Sequence, residues 1–226
     1  MTGPVAEKKI RTGILGGTFD PIHRGHIAMA LYAAEDFDLS EVWIMPNGAP
    51  PHKENSHVNA TPEERLIMTQ LAIKDAQEQE SKGAVLRACD YEVRRDEKSY
   101  SYETMETFRA IYPDREFFFI IGEDSLLDLT KWKEPARLLA ACTMLVAVRY
   151  DSADLLIRDK VKEYKEIFDP CDIEILSMPR IDVSSTEIRA KLAGGMSVAD
   201  LVTPSVDSYI KDHPGIYGNC RESGAS

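Results

Sequence analysis

Thr12-Gly13-Ile14-Leu15 leads into Gly16-Gly17-Thr18-Phe19-Asp20-Pro21-Ile22-His23-Arg24-Gly25-His26, and an apolar helix pattern follows from His26 to Phe37. Strand, glycine turn and helix start, in that order, build a binding site for phosphate. Glycine lets a backbone pass close to an anion with no Cβ in the way. The helix N-terminus then offers unpaired N–H groups and the positive end of its dipole. His23 and His26, three apart, share one face of that first turn if it is helical there. Two imidazole donors so placed can follow a phosphate oxygen as it gains charge. The stretch is neither the dinucleotide fingerprint G-x-G-x-x-G nor a P-loop, which ends in Gly-Lys-Ser/Thr. His23, His26 and Asp20 make a poor transition-metal set, with no H-E-x-x-H and no cysteine nearby. A plain βα turn with solvated capping histidines accounts for a glycine and a proline, but poorly for so specialised a run.

Outward from this turn, strand-like and helix-like patterns alternate. Glu41 to Pro46 reads as a strand, and Asn47 to Ala60 as a long loop of the kind that is often functional. Thr61-Pro62-Glu63-Glu64 starts a helix, with an N-cap threonine, proline at N1 and glutamate at N3, running to about Glu80. Ala84 to Arg95 is strand-like, Ser101 to Ile111 helical, and Glu116 to Ile121 a dense apolar strand suited to a sheet centre. Gly122-Glu123-Asp124-Ser125 closes that strand and opens another helix. Glu134 to Ala141 is a short helix, Thr143 to Val148 a central strand, Asp151 to Phe168 a charged amphipathic helix, and Ile173 to Leu176 a last strand. The expected fold is α/β: a Rossmann-like, doubly wound, mostly parallel sheet with flanking helices and a small C-terminal helical extension. One domain is expected over 1–226, its core about 9–218, with frayed tails. Ligands of such sheets bind where the strand order reverses, and the glycine-terminated strands at Gly16-Gly17 and Gly122 are the expected walls of that crevice.

The chain has 226 residues and a net charge of −11, which argues against a protein built to grip a nucleic-acid backbone. Four widely spaced cysteines, Cys89, Cys142, Cys171 and Cys220, without a C-x-x-C pair, read as core thiols of a reduced, cytoplasmic protein. Met1 to Lys9 has no apolar core of a signal peptide. The longest apolar run, Leu138 to Val148, is too short to span a membrane. Neither nucleic acid nor membrane is an expected partner, and a homo-oligomer is left open.

Asp182-Val183-Ser184-Ser185-Thr186-Glu187-Ile188-Arg189 is the second informative stretch. Ser184 and Glu187 fit a capping box, and Gly194-Gly195 ends the helix. Ser184, Ser185 and Thr186 with Arg189 one turn in equally make a phosphate cradle, the guanidinium supplying a two-pronged fork. On the residues alone the two readings stand even. Gly16 to His26 resembles the signature of the nucleotidyltransferase superfamily that carries a His-x-Gly-His motif. The second stretch is similar to that superfamily's Ile-Ser-Ser-Thr-x-Ile-Arg, with Val183 in place of isoleucine. The resemblance implies transfer of a nucleotidyl group from a nucleoside triphosphate to a phosphate. Gly16, Gly17, Thr18, Phe19, His23, His26, Gly122, Asp124, Ser184, Ser185, Thr186 and Arg189 would then hold ATP, and His23, His26 and Arg189 would be catalytic. Mg²⁺ would be carried by the ATP phosphates rather than by a metal site of the protein.

Further motifs resemble the bacterial nicotinate-nucleotide adenylyltransferases in particular. Pro50-Pro51-His52-Lys53 looks like a loop that contacts the acceptor nucleotide. Ser99-Tyr100-Ser101-Tyr102-Glu103-Thr104 looks like that family's Ser-Tyr-Thr-x-x-Thr, and Gly122-Glu123-Asp124-Ser125-Leu126 with Trp132 like its Gly-x-Asp-Ser-Leu and downstream tryptophan. Thr203 to Tyr217 is similar to its C-terminal helix and ending. The acceptor-binding set implied is His52, Lys53, Tyr100, Ser101, Thr104, Asp124, Trp132 and Arg149. Tyr150-Asp151 stand where Pro-Gly is usual after Arg149. The implied reaction joins ATP and nicotinate mononucleotide to give nicotinate adenine dinucleotide and pyrophosphate. The alternatives are pantetheine-phosphate adenylyltransferase, a cytidylyltransferase acting on a polyol or choline phosphate, and a nucleotide-binding regulator without turnover.

Overall fold

Within residues 9–48, 58–79, 84–149 and 154–218, which the computed structural model describes, strands and helices alternate as the sequence pattern implies. The elements are β1 (Ile10–Gly17), α1 (Arg24–Asp36), β2 (Glu41–Pro46), α2 (Pro62–Gln79), β3 (Val85–Ala88), α3 (Ser101–Ile111), β4 (Arg115–Gly122) and α4 (Glu123–Leu127). A short 3₁₀ turn (Leu129–Lys131), α5 (Pro135–Ala141), β5 (Thr143–Arg149), α6 (Asp154–Ile167), β6 (Ile173–Met178), α7 (Ser185–Ala193) and α8 (Pro204–Asp212) complete them. The sheet has six strands in the order β3-β2-β1-β4-β5-β6, and each neighbouring pair is parallel. The chain builds outward from β1 to β3, then returns to lay β4 against the other side of β1. The strand order therefore reverses between β1 and β4, where two carboxyl ends diverge and a crevice opens.

Side chains alternate between the two faces of a strand, and here both faces are covered. Leu15, Val42, Ile44, Ile120 and Leu145 share one apolar layer with Ala30 of α1, Met68 of α2, Ile188 of α7 and Ile210 of α8. Ile14, Trp43, Met45, Phe119, Ile121 and Val146 share the other with Met105 of α3, Leu126 of α4, Leu138 of α5 and Ile157 of α6. Near-continuous apolar runs are what a sheet buried on both faces requires. The capping box at α2 forms as its residues imply: Thr61 N–H donates to Glu64 Oε2 at 2.7 Å, and Glu64 N–H to Thr61 Oγ1 at 3.2 Å.

One expectation needs correction. Ala84 to Arg95 is not strand throughout: β3 stops at Ala88, and residues 91–94 form a turn. Ile44 faces β3, accepting from Cys89 N–H at 2.9 Å. The next residue of β2 facing that way is Pro46, which has no N–H to donate, so the ladder ends. Among the described cysteines, Cys142 is buried and Cys89 and Cys171 are half-buried. Burial pushes the Cys89 thiol up to about 11 and that of Cys142 to about 12, which leaves them inert.

The amino ends of β1, β2 and β4 are tied by ions. Glu41 is 7 % exposed and takes Arg87 Nε at 2.7 Å and the guanidinium of Arg115, which also donates to Thr12 Oγ1 at 2.8 Å. Burial opposes the Glu41 charge, but hydrogen bonds from Arg87 and Arg115 outweigh it and hold the carboxyl below its ordinary value. A depressed native pKa gives stability that is present above the unfolded-state pKa and is lost as pH falls through the native one. Glu41→Gln should therefore cost about 1–3 kcal/mol at neutral pH. Urea unfolding across the acid range should show the gap to the unaltered protein closing as the pH drops below the carboxylate range.

Candidate active site

Between the carboxyl ends of β1 and β4 lies a cavity of about 460 Å³, lined by residues that include Gly16, Gly17, Thr18, Phe19, His26, Asn47, Glu92, Tyr100, Ser101, Gly122, Asp124, Trp132 and Lys133. It occupies the strand-order reversal. At Gly17 an added Cβ would stand 2.6 Å from the Phe19 ring, and Phe19 is itself held at φ 52°, so the turn is crowded on its own side. At Gly122 an added Cβ would meet nothing within 4 Å. No protein neighbour demands glycine there; its effect is to leave the cavity wall bare.

His23 caps α1 in extended conformation, and its ring stacks on that of His26 with centroids 3.6 Å apart and planes 20° from parallel. His23 N–H donates to His26 Nδ1 at 3.2 Å. The proton of neutral His26 is thereby assigned to Nε2, which leaves a donor for the cavity that His26 lines. Burial pushes His23 down to about 4. Burial, then the charge of His23, holds His26 well below its ordinary value. Both rings are thus neutral donors at pH 7. His23 Nδ1 is buried without a hydrogen-bond partner among the described residues.

The second signature packs on the first. Ser184 caps α7, accepting from Glu187 N–H at 3.1 Å. Ser185 Oγ donates to Pro21 O at 2.9 Å, and Arg189 donates to Asp20 O at 2.8 Å and to Thr186 Oγ1 at 3.2 Å. These residues and His23 are not among those that line the 460 Å³ cavity; they flank it beside Asp20 and Pro21. Asp20 is 2 % exposed, and its carboxylate accepts from Asn59 N–H at 2.8 Å, Ala60 N–H at 3.1 Å and the Tyr217 hydroxyl at 2.9 Å.

On the other side, Tyr100 caps α3 and Ser101 opens it, so the amino end of that helix meets the cavity. Asp124 lies in the first turn of α4. Trp132 sits edge-on to Phe119 with centroids 6.4 Å apart. Thr104 is not a lining residue; its buried hydroxyl donates to Glu92 Oε1 at 2.8 Å. Arg149 ends β5, but its side chain, like His52 and Lys53, lies outside the described residues.

The sequence reading did not single out Asn47, Arg65, Glu92 or Lys133. Arg65, 1 % exposed, donates to Thr18 O at 2.7 Å, Asn47 Oδ1 at 2.9 Å and Gly48 O at 2.8 Å. It clamps the glycine turn to the chain leaving β2. An arginine on the apolar side of α2 was the available signal, since a buried guanidinium must be bonded. Glu92 lies in the turn after β3, and its own backbone carbonyl would be 2.5 Å from a Cβ at Gly48. No group of three or more His, Cys, Asp or Glu among the described residues is placed to hold a metal ion, and no described helix is long and apolar enough to cross a membrane.

Residues 14–191 match a family model described as cytidylyltransferase-like. A Shewanella pealeana protein named "Probable nicotinate-nucleotide adenylyltransferase" is 35 % identical, over 89 % of this chain and 94 % of its own. A Clostridium tetani protein of the same name is 38 % identical, over 92 % and 98 %. The fold is also that of the Plasmodium falciparum nicotinic acid mononucleotide adenylyltransferase complexed with NaAD, with a TM-score of 0.70, 21 % identity and coverage of 92 % and 97 %.

Two outcomes follow from the geometry. Arg65→Leu would leave Thr18 O, Asn47 Oδ1 and Gly48 O without their donor and should cost about 3 kcal/mol or more in urea unfolding. His23 should titrate near pH 4 by NMR in the free protein, against an ordinary value of 6.5. Because the unfolded chain takes up that proton first, stability is full above the ordinary value and falls as the pH drops from there through about 4. His23→Gln should flatten that decline.

Proposed function

This chain belongs to the cytidylyltransferase-like family and, within it, to the nicotinate-nucleotide adenylyltransferases, and from that premise we propose how its site carries the reaction. It is a nucleotidyltransferase of NAD biosynthesis, transferring the adenylyl group of ATP to nicotinate mononucleotide, with a cytoplasmic location. The observation that carries the reading is one cavity at the β1/β4 reversal. It joins a glycine turn bearing His26 to an acceptor wall of Tyr100, Ser101, Asp124 and Trp132.

A phosphate monoester has its second pKa near ~6, so the acceptor oxygen is ionised at neutral pH and needs no base. That oxygen bonds to the α-phosphorus of ATP as the bond to the bridging oxygen breaks, and pyrophosphate leaves. The protein's part is positioning and charge stabilisation. Backbone N–H groups at Gly16 to Phe19 take phosphate oxygens, and neutral His23 and His26 donate to oxygens that gain charge in the transition state. Arg189, held on Asp20 O, presents the rest of its fork at the flank. Ser185 spends its hydroxyl proton on Pro21 O, whereas Ser184 and Thr186 only accept, so their hydroxyl protons and the backbone groups at the start of α7 close the cradle. Gly122 admits the nucleotide against a bare wall, and Asp124 accepts from ribose hydroxyls. ATP enters as its magnesium complex, so the metal belongs to the substrate. On the acceptor, Lys53 and His52 meet the phosphate, Trp132 stacks on the pyridine ring, and Tyr100 and Ser101 bring the α3 amino end to the ring substituent. Thr104 acts from behind by holding Glu92, and Arg149 stands at the acceptor edge.

The test is pyrophosphate release with ATP and Mg²⁺, offering nicotinate mononucleotide, nicotinamide mononucleotide and phosphopantetheine in parallel. Preference for the first is expected; release with phosphopantetheine alone, or none with ATP still bound, overturns the reading. In the same assay His26→Ala should lower turnover by about 10²-fold, and near-normal turnover in the folded variant would remove His26 from the mechanism.

A further inference from the structure

A carboxyl and an ammonium meet the cavity where α3 begins. Glu92, 7 % exposed, offers a carboxyl from one side. Lys133, the residue after Trp132, offers the cationic side chain among those lining the cavity. Its Nζ rests 4.4 Å from the centroid of the Tyr100 ring, and Tyr100 is the N-cap of α3. The ammonium is therefore held at the positive end of a helix, on a π face rather than on a carboxylate. A cation–π contact at an exposed site is weaker than a charge-assisted hydrogen bond to a carboxylate. A ligand carboxylate arriving there can take the ammonium from Tyr100 and meet the α3 N–H groups at the same time.

We propose that Lys133 determines the acceptor's ring substituent: its ammonium pairs with the carboxylate of a pyridine ring stacked on Trp132, and so selects the acid over the carboxamide. This inference rests on the adenylyltransferase reading above. The carboxamide carries no charge for the ammonium to compensate, so it gains little from Lys133. Glu92 would oppose an acid if it were ionised. Burial raises its pKa, with the Thr104 hydroxyl bond and Arg95 working the other way, which lessens that opposition.

The experiment measures kcat/KM for nicotinate mononucleotide and nicotinamide mononucleotide in the unaltered protein, Lys133→Met and Lys133→Arg. Where amide turnover is slow, its affinity is read as inhibition of the acid reaction. Lys133 is exposed, and methionine keeps most of the stem, so thermal unfolding should not move. Lys133→Met should lower the acid-to-amide preference by about ten-fold, through KM for the acid, and Lys133→Arg should restore most of it. An unchanged preference in Lys133→Met, or an equal loss for both acceptors, overturns the role of Lys133 while leaving the activity in place. Absence of turnover on nicotinate mononucleotide by the unaltered protein overturns the adenylyltransferase reading instead.

Discussion

The buried carboxylate of Asp20 is the constraint on which the site depends. It lies in the turn after β1 and takes hydrogen bonds from the backbone at Asn59 and Ala60 and from the hydroxyl of Tyr217. Its own carbonyl receives Arg189. Four segments far apart in the chain thus meet on one residue: the glycine turn, the approach to α2, the start of α7 and the end of the C-terminal extension. A buried carboxylate persists only where its oxygens are met by donors, which ties the approach to α2 and the C-terminal extension to the glycine turn, while the Asp20 carbonyl ties in the second signature. The Tyr217 hydroxyl is bound into this arrangement firmly enough that burial and the Asp20 charge hold its pKa far above the ordinary range.

The sheet divides its work between its two ends. At the amino ends of the strands, Glu41, Arg87 and Arg115 form an ion cluster that binds three strands together. At the carboxyl ends the strands stop at Gly17, Pro46 and Gly122, and polar groups are left for a ligand. Arg65 joins that end from beneath, satisfying carbonyls that the turn and the β2 exit cannot satisfy themselves. Ions thus contribute to cohesion at one end and to the shape of a cavity at the other.

Much of the fold was legible because each element carries its own local cause. β2 and α3 have the bounds their patterns imply, Thr61 and Glu64 cap α2, and the two glycine-ended strands are the two walls of the cavity. β3 was overestimated because apolar alternation continues past Ala88, whereas the limit lies in the partner strand, at Pro46. The site was legible where a motif is contiguous. Glu92 and Arg65 were not, since each acquires its meaning only from residues far away: Thr104 and Gly48 for one, Thr18 and Asn47 for the other.

By itself the sequence determined the doubly wound sheet, the glycine turn with its paired histidines, the second signature and the family to which they point. The sheet and the turns follow from periodicity and from residue types at fixed spacing, which are local properties, and the family from the resemblance of the two signatures. Tertiary structure alone decided that the two histidines are buried and stay neutral, that the Ser185 hydroxyl is spent on Pro21 O, and that Lys133 rests on Tyr100 where α3 begins. The physical reason is that charge state and hydrogen-bond partnership depend on burial and on neighbours brought together through space, and neither is written in the order of residues along the chain.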